Sequence, residues 1–523
     1  MNPPLLHLWK KLDWASIKVT KPFETGEGVL DEGGFVALEI DKLFDAVNHA
    51  ETVIGQSVLF RSLVQPLDDL EKIERKQRAV EELKNNSELR AIVQRIITNA
   101  ASHETDFYRL LFAEFLPMFG TAKDEKQIEG YGYVQYRRGV RFVTELVTEI
   151  QNAPTPESDY LSELFEHIKA FSGSRVYSLM TNAVYLTETA LQTKQERSKS
   201  WWLPAIVFYP QLFKPLILAG FAGVLGSLFY FAPSLVTQAI LLTPLSLIYF
   251  PIVGSFDRDN FILPLRTTFK ESPELAATVD ALGQLDELLS LLKLAENFGH
   301  DIVMPTLIES KEHRSVLNNA INPILGKANS DYVGNDLSLD HEKLLLITGP
   351  NSGGKTAFCK TIAQIQVLAQ IGSFVPAHSA TLSIADRIFY QSPEISRLND
   401  GEGRFGAELK RTKDIFLASS AKSLVILDEL SEGTTFEEKM ESSFNVLNGF
   451  YRKGNSTLLI THNHQLVDEL IKKHIGIPKQ VEFLNDEPTH KIIDGISRVS
   501  HADRVAKKIG FSKEDIDNYL ENK

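Results

Sequence analysis

A glycine-rich run in the second half of the chain constrains the fold more than any other feature of the sequence. Gly349–Thr356 reads GPNSGGKT, which fits the pattern GxxxxGK(S/T). A strand-like apolar run, Leu344–Ile347, precedes it, and helical spacing continues from Lys355 to Leu368. In such a strand–loop–helix unit the backbone N–H groups of the loop turn inward, and the helix N-terminus adds a partial positive charge. The sequence therefore predicts a phosphate-binding loop in an α/β domain.

The residues of this loop have distinct expected roles. Lys355 is expected to reach the β- and γ-phosphates of a nucleoside triphosphate, and the Thr356 hydroxyl is expected to bind Mg²⁺. The other predicted nucleotide-binding residues of the loop are Gly349, Pro350, Asn351, Ser352, Gly353 and Gly354. ATP and Mg²⁺ are therefore the predicted cofactors.

A second apolar strand ends in two carboxylates. Ser423–Glu429 reads SLVILDE, and its last two residues fall at the carboxyl end of the predicted strand, where α/β sheets bind their ligands. Asp428 is expected to hold Mg²⁺, and Glu429 is expected to act as the base that polarises the attacking water. Paired with the phosphate-binding loop, this run predicts an ATPase.

A third predicted strand, Thr457–Ile460, is followed by Thr461 and His462. A histidine at the tip of such a strand can contact the γ-phosphate or simply cap the strand, and position alone leaves both interpretations open. His464 also lies close by, but no neighbouring cysteine or carboxylate completes a zinc site, so we do not predict one.

The composition excludes several classes of protein. Across 523 residues, Lys+Arg 55 and Asp+Glu 68 give a net charge of −13 at pH 7. The protein therefore does not coat nucleic acid or anionic lipid through bulk positive charge, and any DNA contact needs a local basic patch. The only cysteine, Cys359, excludes an intramolecular disulfide and suits a reducing cytosol.

One segment departs sharply from this average composition. Pro215–Phe256 contains 42 consecutive residues without a charge. Its two apolar halves are Leu216–Ala232 and Leu235–Val253, and each approaches the ~20 residues that a helix needs to cross a ~30 Å hydrocarbon core. The segment therefore predicts a two-pass transmembrane hairpin.

The flanking residues bear on this prediction in both directions. Trp201 and Trp202 precede the segment as interfacial aromatics often do, and basic residues flank both of its ends, which places both ends in the cytoplasm. Pro244 and Pro251 favour the alternative, in which the segment is a buried helical hairpin or an apolar dimer interface.

The phosphate-binding loop and its surroundings resemble one known family. Thr348–Phe389 is similar to the ATPase domain of the MutS family of DNA mismatch-repair proteins, because GPN-x-GGK is followed by IGSFVPA at Ile371–Ala377. Leu427–Thr435 resembles the family's Walker B strand and the loop after it. Ser497–Ile516 resembles the family's helical dimerisation tail, and Gly55–Leu83 resembles the start of its helical core.

The resemblance implies further roles. Tyr332 begins a run, YVGND, that resembles the family's aromatic-V-x-N-D stretch, which implies that Tyr332 stacks on adenine. His462 resembles the family's switch histidine. Gly403 stands where the family has the serine of its trans-acting signature, so its backbone N–H is expected to meet a γ-phosphate across a homodimer.

The fold class predicted from these features is multidomain. An all-α core and lever region precedes an α/β P-loop ATPase domain of the ABC type and a short C-terminal helical tail. The predicted divisions are an N-terminal segment with the helical core at 1–98, lever helices at 99–200, the apolar segment at 201–256, returning lever helices at 257–320, the ATPase domain at 321–488 and the dimerisation tail at 489–523.

The predicted function is a MutS-like ATPase whose nucleotide-driven dimer closure moves the lever helices. We expect it to bind DNA and to be anchored through 215–256 on the cytoplasmic side of the cell membrane. Because the sequence starts close to the part that resembles the helical core, we expect no counterpart of the family's mismatch-reading domain and therefore no mismatch recognition. Two alternatives stay open: a soluble, cytoplasmic DNA-repair or junction-binding ATPase with the apolar segment buried, and an ATP-gated scaffold with weak hydrolysis.

Overall fold

The computed structural model describes the chain in two compact units. Among the described residues, one unit comprises those within 50–58 and 82–289, and the other comprises those within 21–49, 59–81 and 290–521. The residues described are 21–116, 130–188, 190–199, 201, 204–212, 214, 226–227, 230, 251–350, 353–392, 403–430, 436–484, 487–497 and 509–521.

The first unit is mainly helical with a few short strands, and the second unit contains both helices and longer strands. The helices are α1 Glu32–Ala37, α2 Ile40–Val47, α3 Val53–Val64, α4 Leu70–Asn85, α5 Ser87–Phe112, α6 Tyr133–Asn152, α7 Asp159–Ala170, α8 Arg175–Thr181, α9 Lys194–Lys199, α10 Leu263–Lys270, α11 Pro273–Asn297, α12 Leu325–Ala328, α13 Lys355–Gln370, α14 Gly403–Ala418, α15 Phe436–Lys453, α16 His464–Lys472 and α17 Lys513–Glu521. The strands are β1 Glu114–Phe115, β2 Gly130–Tyr131, β3 Val184–Leu186, β4 Leu191–Gln192, β5 Ile206–Phe208, β6 Thr306–Ile308, β7 Ser315–Ala320, β8 Asn335–Leu339, β9 Leu344–Thr348, β10 Ser379–Ser383, β11 Ile388–Gln391, β12 Leu424–Asp428, β13 Ser456–Ile460, β14 Ile477–Leu484 and β15 Glu487–Asp494.

Helices α5 and α6 pack closely against each other in the first unit. The Asn86 side chain accepts a hydrogen bond from the Leu89 N–H at 3.0 Å and so caps α5. The rings of Phe107 and Phe142 stack with centroids 5.0 Å apart. A Cβ added to Gly139 would lie 2.6 Å from the carbonyl oxygen of Asp106, so the two helices approach so closely that only glycine fits at this position.

Two buried carboxylates hold the start of α3. Asp286 accepts hydrogen bonds from the N–H and hydroxyl of Thr52 at 2.7 and 2.6 Å, and Glu104 accepts one from the Val53 N–H at 2.8 Å. The first N–H groups of a helix have no intrahelical acceptor, so these carboxylates supply one. Burial raises the pKa of Glu104 to about 8, and the nearby charge of Asp286 adds to the rise.

The two ends of the uncharged segment meet in the first unit. Lys214 Nζ lies 2.8 Å from Asp257 Oδ2, and the two side chains are only 12% and 3% exposed. The Tyr133 hydroxyl donates a hydrogen bond to the same oxygen at 2.8 Å. The neighbouring rings of Phe208 and Phe261 stack with centroids 4.7 Å apart. Residues 214 and 257 therefore lie side by side, although 42 residues separate them.

The sequence predicted only helices between 99 and 200, but short strands also occur there. Strand β3 pairs antiparallel with both β4 and β5, and β1 pairs parallel with β2. These strands are two or three residues long, which is too short for alternation of apolar and polar residues to reveal them.

Among the described residues, no helix is both long enough and apolar enough to cross a lipid bilayer. Most of the predicted hairpin, including residues 215–225 and 231–250, lies outside the described part of the chain.

Two sheets organise the second unit. The larger has the strand order β11–β12–β13–β9–β14–β15 and is parallel except for β15, which runs antiparallel to β14. The smaller sheet has the order β6–β10–β7–β8. The predicted strands before the loop, before the paired carboxylates and before His462 are β9, β12 and β13, which are neighbours. Because parallel strands place their carboxyl ends at one edge, the residues that follow these strands come together.

The second unit also contains residues that the sequence assigned to the N-terminal helical core. Leu30 forms a bridge with Ile388 of β11, and the Ile388 N–H donates to the Val29 carbonyl at 2.7 Å. Asp31 caps α1 by accepting a hydrogen bond from Gly34 and pairs with Arg411 at 2.6 Å. These partners are hundreds of residues away in sequence, so local patterns do not reveal them.

Candidate nucleotide-binding site

The loop after β9 adopts backbone conformations that favour glycine. Gly349 has φ +135° and Gly354 has φ +89°, in the region that side chains disfavour. A Cβ added to Gly353 would lie 2.7 Å from a methyl group of Val481 in β14, so this position also requires glycine. The loop leads into α13, whose first residue is Lys355. Asn351 and Ser352 lie outside the described residues.

Lys355 lies beneath this loop. Its Nζ donates hydrogen bonds to the carbonyl oxygens of Gly349 and Pro350 at 2.6 and 2.9 Å. Burial lowers the pKa of Lys355, while the charges of Asp428 and Glu429 raise it. The ammonium group is therefore close enough to both carboxylates to interact with their charges.

Asp428, at the end of β12, receives two hydroxyl donors on one oxygen. Thr356 Oγ1 and the Tyr390 hydroxyl each lie 3.2 Å from Asp428 Oδ2. Burial raises the pKa of Asp428, and the two hydrogen bonds lower it. Hydroxyl and carboxylate oxygens are suitable ligands for Mg²⁺, which usually binds one or two protein carboxylates together with substrate phosphates. The described part of the chain contains no cluster of three or more His, Cys, Asp or Glu side chains that could hold a metal ion.

Glu429 follows Asp428 in an unusual backbone conformation. Its φ is +60°, although it is not glycine. Its Oε1 accepts a hydrogen bond from the His462 N–H at 2.8 Å and lies 3.9 Å from His462 Nε2. Its Oε2 lies 3.6 Å from Lys439 Nζ in α15. The carboxylate is therefore held beside the residue that follows β13.

The two remaining predicted site residues lie on other elements of the same unit. Tyr332 precedes β8, is partly buried and forms a side-chain hydrogen bond with Thr361 of α13. Burial raises the pKa of the Tyr332 phenol, and that hydrogen bond lowers it. Gly403 is the first residue of α14.

Sequence reasoning missed three residues at this site. Tyr390 and Lys439 contact the paired carboxylates, and His490 lies against the loop, with Nδ1 3.4 Å from the position of a Cβ on Gly354. His490 has φ +63°, and its carbonyl accepts a hydrogen bond from Asn335 Nδ2 at 3.0 Å. The pairing of β14 with β15 brings His490 to the loop, and no local signal predicts such a long-range arrangement.

The strand order, the glycine-rich loop and the paired carboxylates are the features that the sequence predicted for a P-loop nucleotide-binding domain. Comparison with known families is more specific. Residues 25–291 match MutS domain III, and residues 345–520 match MutS domain V. The chain belongs to the MutS family.

Curated relatives agree with this assignment. A DNA mismatch repair protein MutS from Thermotoga sp. (strain RQ2) is 26% identical over 509 residues, which cover 90% of this chain and 61% of that protein. The namesake from Prochlorococcus marinus (strain MIT 9301) is 31% identical over 258 residues, covering 47% of this chain and 28% of that protein. DNA mismatch repair protein MSH3 from Phaeosphaeria nodorum is 36% identical over 245 residues, which cover 44% of this chain and 21% of that protein. The chain thus spans less than two thirds of the length of each relative.

Proposed function

We propose that the protein binds MgATP at the edge formed by β9, β12 and β13, and hydrolyses it. The observation that carries this proposal is the convergence of Thr356, Asp428 and Glu429, since the Thr356 hydroxyl lies 3.2 Å from the Asp428 carboxylate and Glu429 follows directly. Membership in the MutS family, whose domain V is the ATPase domain, supports the same activity.

The residues of the loop bind and orient the triphosphate. Lys355 exchanges the carbonyl oxygens of Gly349 and Pro350 for the β- and γ-phosphates, whose charge is a stronger partner. Mg²⁺, when bound, would neutralise the negative charge that develops on the phosphates. Thr356 and Asp428 would hold that ion.

The residues after β12 and β13 act on the attacking water. Glu429 accepts a proton from the water as the water oxygen bonds to the γ-phosphorus and the bond to ADP breaks. His462, whose N–H already donates to Glu429, contacts the γ-phosphate in this scheme. Tyr332 stacks on adenine, and His490 approaches the nucleotide from the pair of strands β14 and β15.

Hydrolysis is tested with the purified full-length chain. ATP turnover and ATP binding are measured for the wild type, Glu429→Gln and Lys355→Ala. We expect Glu429→Gln to bind ATP and lose turnover by roughly 10²-fold or more, the usual contribution of a general base. Lys355→Ala should lose binding. A wild type that binds ATP without turnover would instead support the ATP-gated scaffold.

Dimer closure is the proposed mechanical output. In this scheme ATP brings two ATPase domains together, the Gly403 N–H of one subunit meets the γ-phosphate of the other, and the lever helices move. Helix α17 carries exposed Tyr519 and Leu520, which suit a dimerisation tail. The expected result is an ATP-dependent shift from monomer to dimer in light scattering with Glu429→Gln, which prevents reopening. A molecular mass that does not change when ATP is added would contradict the proposed dimer closure.

DNA is the proposed partner, by analogy with the family. Branched or junction DNA is the preferred substrate class, and the readout is ATPase stimulation that declines as salt rises, because phosphate contacts release counterions. Equal stimulation by mismatched and matched duplexes is expected.

A membrane anchor through 215–256 is a second proposal. The observation that favours it is the buried Lys214–Asp257 ion pair, which brings the ends of the uncharged segment together as a hairpin requires. Full-length protein should float with liposomes, and deletion of 215–256 should abolish flotation while preserving ATP turnover. The anchor would be contradicted if the deletion left flotation unchanged or if the full-length protein did not float. Either result would support the soluble, cytoplasmic alternative.

A further inference from the structure

The proposed base, Glu429, has a basic neighbour that no sequence motif indicates. Lys439 lies in the first turns of α15, and its Nζ is 3.6 Å from Glu429 Oε2. The other oxygen, Oε1, accepts the His462 N–H at 2.8 Å. Both oxygens of the carboxylate therefore face a positively charged or hydrogen-bond-donating partner, and these partners come from two different elements.

Burial makes this ion pair more than a surface contact. The side chain of Glu429 is only 10% exposed, and that of Lys439 is 21% exposed. An anion removed from water requires a counter-charge, and removing one partner of a buried pair leaves the other uncompensated. Exposed ion pairs of the same length contribute far less. The low exposure thus gives Lys439 a substantial influence on the orientation of Glu429.

The backbone of Glu429 adds a second, independent constraint. Its φ of +60° is unfavourable for a residue with a side chain, and its N–H donates to the Ile460 carbonyl at 3.0 Å. Residues held in such conformations concentrate at functional sites, where the surrounding structure enforces them. Backbone and side chain are both fixed, which is the arrangement that a preorganised base needs.

We propose that Lys439 is a positioning residue for Glu429. Its ammonium group holds Oε2 so that the carboxylate stays fixed beside His462 when the water attacks the γ-phosphate. A carboxylate oxygen can accept more than one hydrogen bond, so the pair leaves a lone pair for the proton of the water. Lys439 acts through Glu429 and touches neither the nucleotide nor the metal. This inference rests on the proposed ATP hydrolysis.

The test compares Lys439→Met with the wild type in the full-length protein. We expect kcat to fall by about ten- to hundredfold, because misplacing a catalytic group by ~1 Å costs up to ~10². The equilibrium affinity for ATP should stay within twofold, since Lys439 does not contact the nucleotide. Lys439→Arg should restore most of the rate by keeping the cation. Arg452→Met is the matched control, because Arg452 is an exposed cation of the same helix.

A double variant shows whether the effect passes through Glu429. In the Glu429→Gln background, Lys439→Met should have no further effect on the residual rate. The inference is overturned if Lys439→Met retains or raises kcat, if it weakens ATP binding as much as it slows turnover, or if it slows Glu429→Gln equally. If Lys439→Met fails to fold, Lys439→Gln takes its place. A wild type without turnover would overturn the proposed hydrolysis as well, whereas a normal wild type with an unaffected variant overturns this inference alone.

Discussion

Tyr390 offers the sharpest test of the proposed Mg²⁺ site, because a single oxygen atom can be removed without changing the shape of the core. The ring is buried, and its hydroxyl donates to Asp428 Oδ2 at 3.2 Å. Burial raises the pKa of the phenol well above its usual value, so at neutral pH the hydroxyl carries a proton to donate. Tyr390→Phe therefore removes one donor from the carboxylate that would hold Mg²⁺ and leaves Thr356 as the other.

The size of the effect follows from that geometry. A hydrogen bond to a charged group contributes about 1.5–3 kcal/mol. The distance of 3.2 Å is longer than the usual O–H···O separation, which places this bond at the weak end of the range. About 1.5 kcal/mol corresponds to about tenfold in affinity. This agrees with the ~10- to 100-fold loss typical of residues that orient metal ligands.

The assay measures metal binding to the ATP-loaded protein and not turnover. Mg²⁺ binding is measured by calorimetry, or Mn²⁺ binding by its electron paramagnetic resonance spectrum. Tyr390→Phe should weaken metal affinity about tenfold and leave ATP affinity in EDTA unchanged. Tyr131→Phe is the matched control, since it removes a buried tyrosine hydroxyl that donates to the Leu110 carbonyl in the other unit. Unchanged metal affinity, or an equal loss of ATP affinity in EDTA, would refute this reasoning.

Three further predictions concern stability and binding. The folded-state pKa of Glu104 is about 8, against a usual value of 4.5, so the stability associated with its neutral form is complete below about pH 4.5 and declines as the pH rises through 8. In denaturant titrations, Glu104→Gln should therefore lose less stability between these pH values than the wild type. Parallel curves of stability against pH for the two proteins would contradict this. Gly139→Ala forces a methyl group within 2.6 Å of the Asp106 carbonyl oxygen and should destabilise the helical unit by about 1–3 kcal/mol in urea unfolding. Gly173→Ala is the control, because no atom lies within 4 Å of the added methyl group there. His490→Ala should weaken ATP binding severalfold in fluorescence titrations without changing the melting temperature, and undiminished affinity would exclude His490 from the site.

Local sequence patterns predicted the elements that carry the chemistry. The apolar run Leu344–Ile347 and the helix from Lys355 correspond to β9 and α13. Ser512 caps α17 by accepting a hydrogen bond from the Asp515 N–H. These features are readable because a buried strand is a short apolar run and a cap depends only on residues within one turn.

The rest depends on partners distant in sequence. Neither composition nor spacing indicates that Tyr390 and Lys439 face Asp428 and Glu429, because strand order and helix packing decide it. The β14–β15 hairpin brings His490 to the loop for the same reason. Residues 21–49 fall within the predicted N-terminal segment and helical core at 1–98, yet they pack within the α/β unit, where Asp31 pairs with Arg411.

The bridge between Leu30 and Ile388 has a consequence for the folding of the chain during synthesis. Strand β11 is the last strand on its side of the large sheet, and the Val29 carbonyl covers the N–H of Ile388 at 2.7 Å. Unpaired edge strands are templates for aggregation. The segment that shields this edge is synthesised well before β11, since the hydrogen bond from Arg387 to the Gly28 carbonyl spans 359 residues. It therefore stays without this partner until β11 has been made. A fragment that starts at Ser290 would retain the loop and both carboxylates but expose β11. We expect this fragment to aggregate in the absence of ATP, under conditions in which the full-length chain stays monomeric.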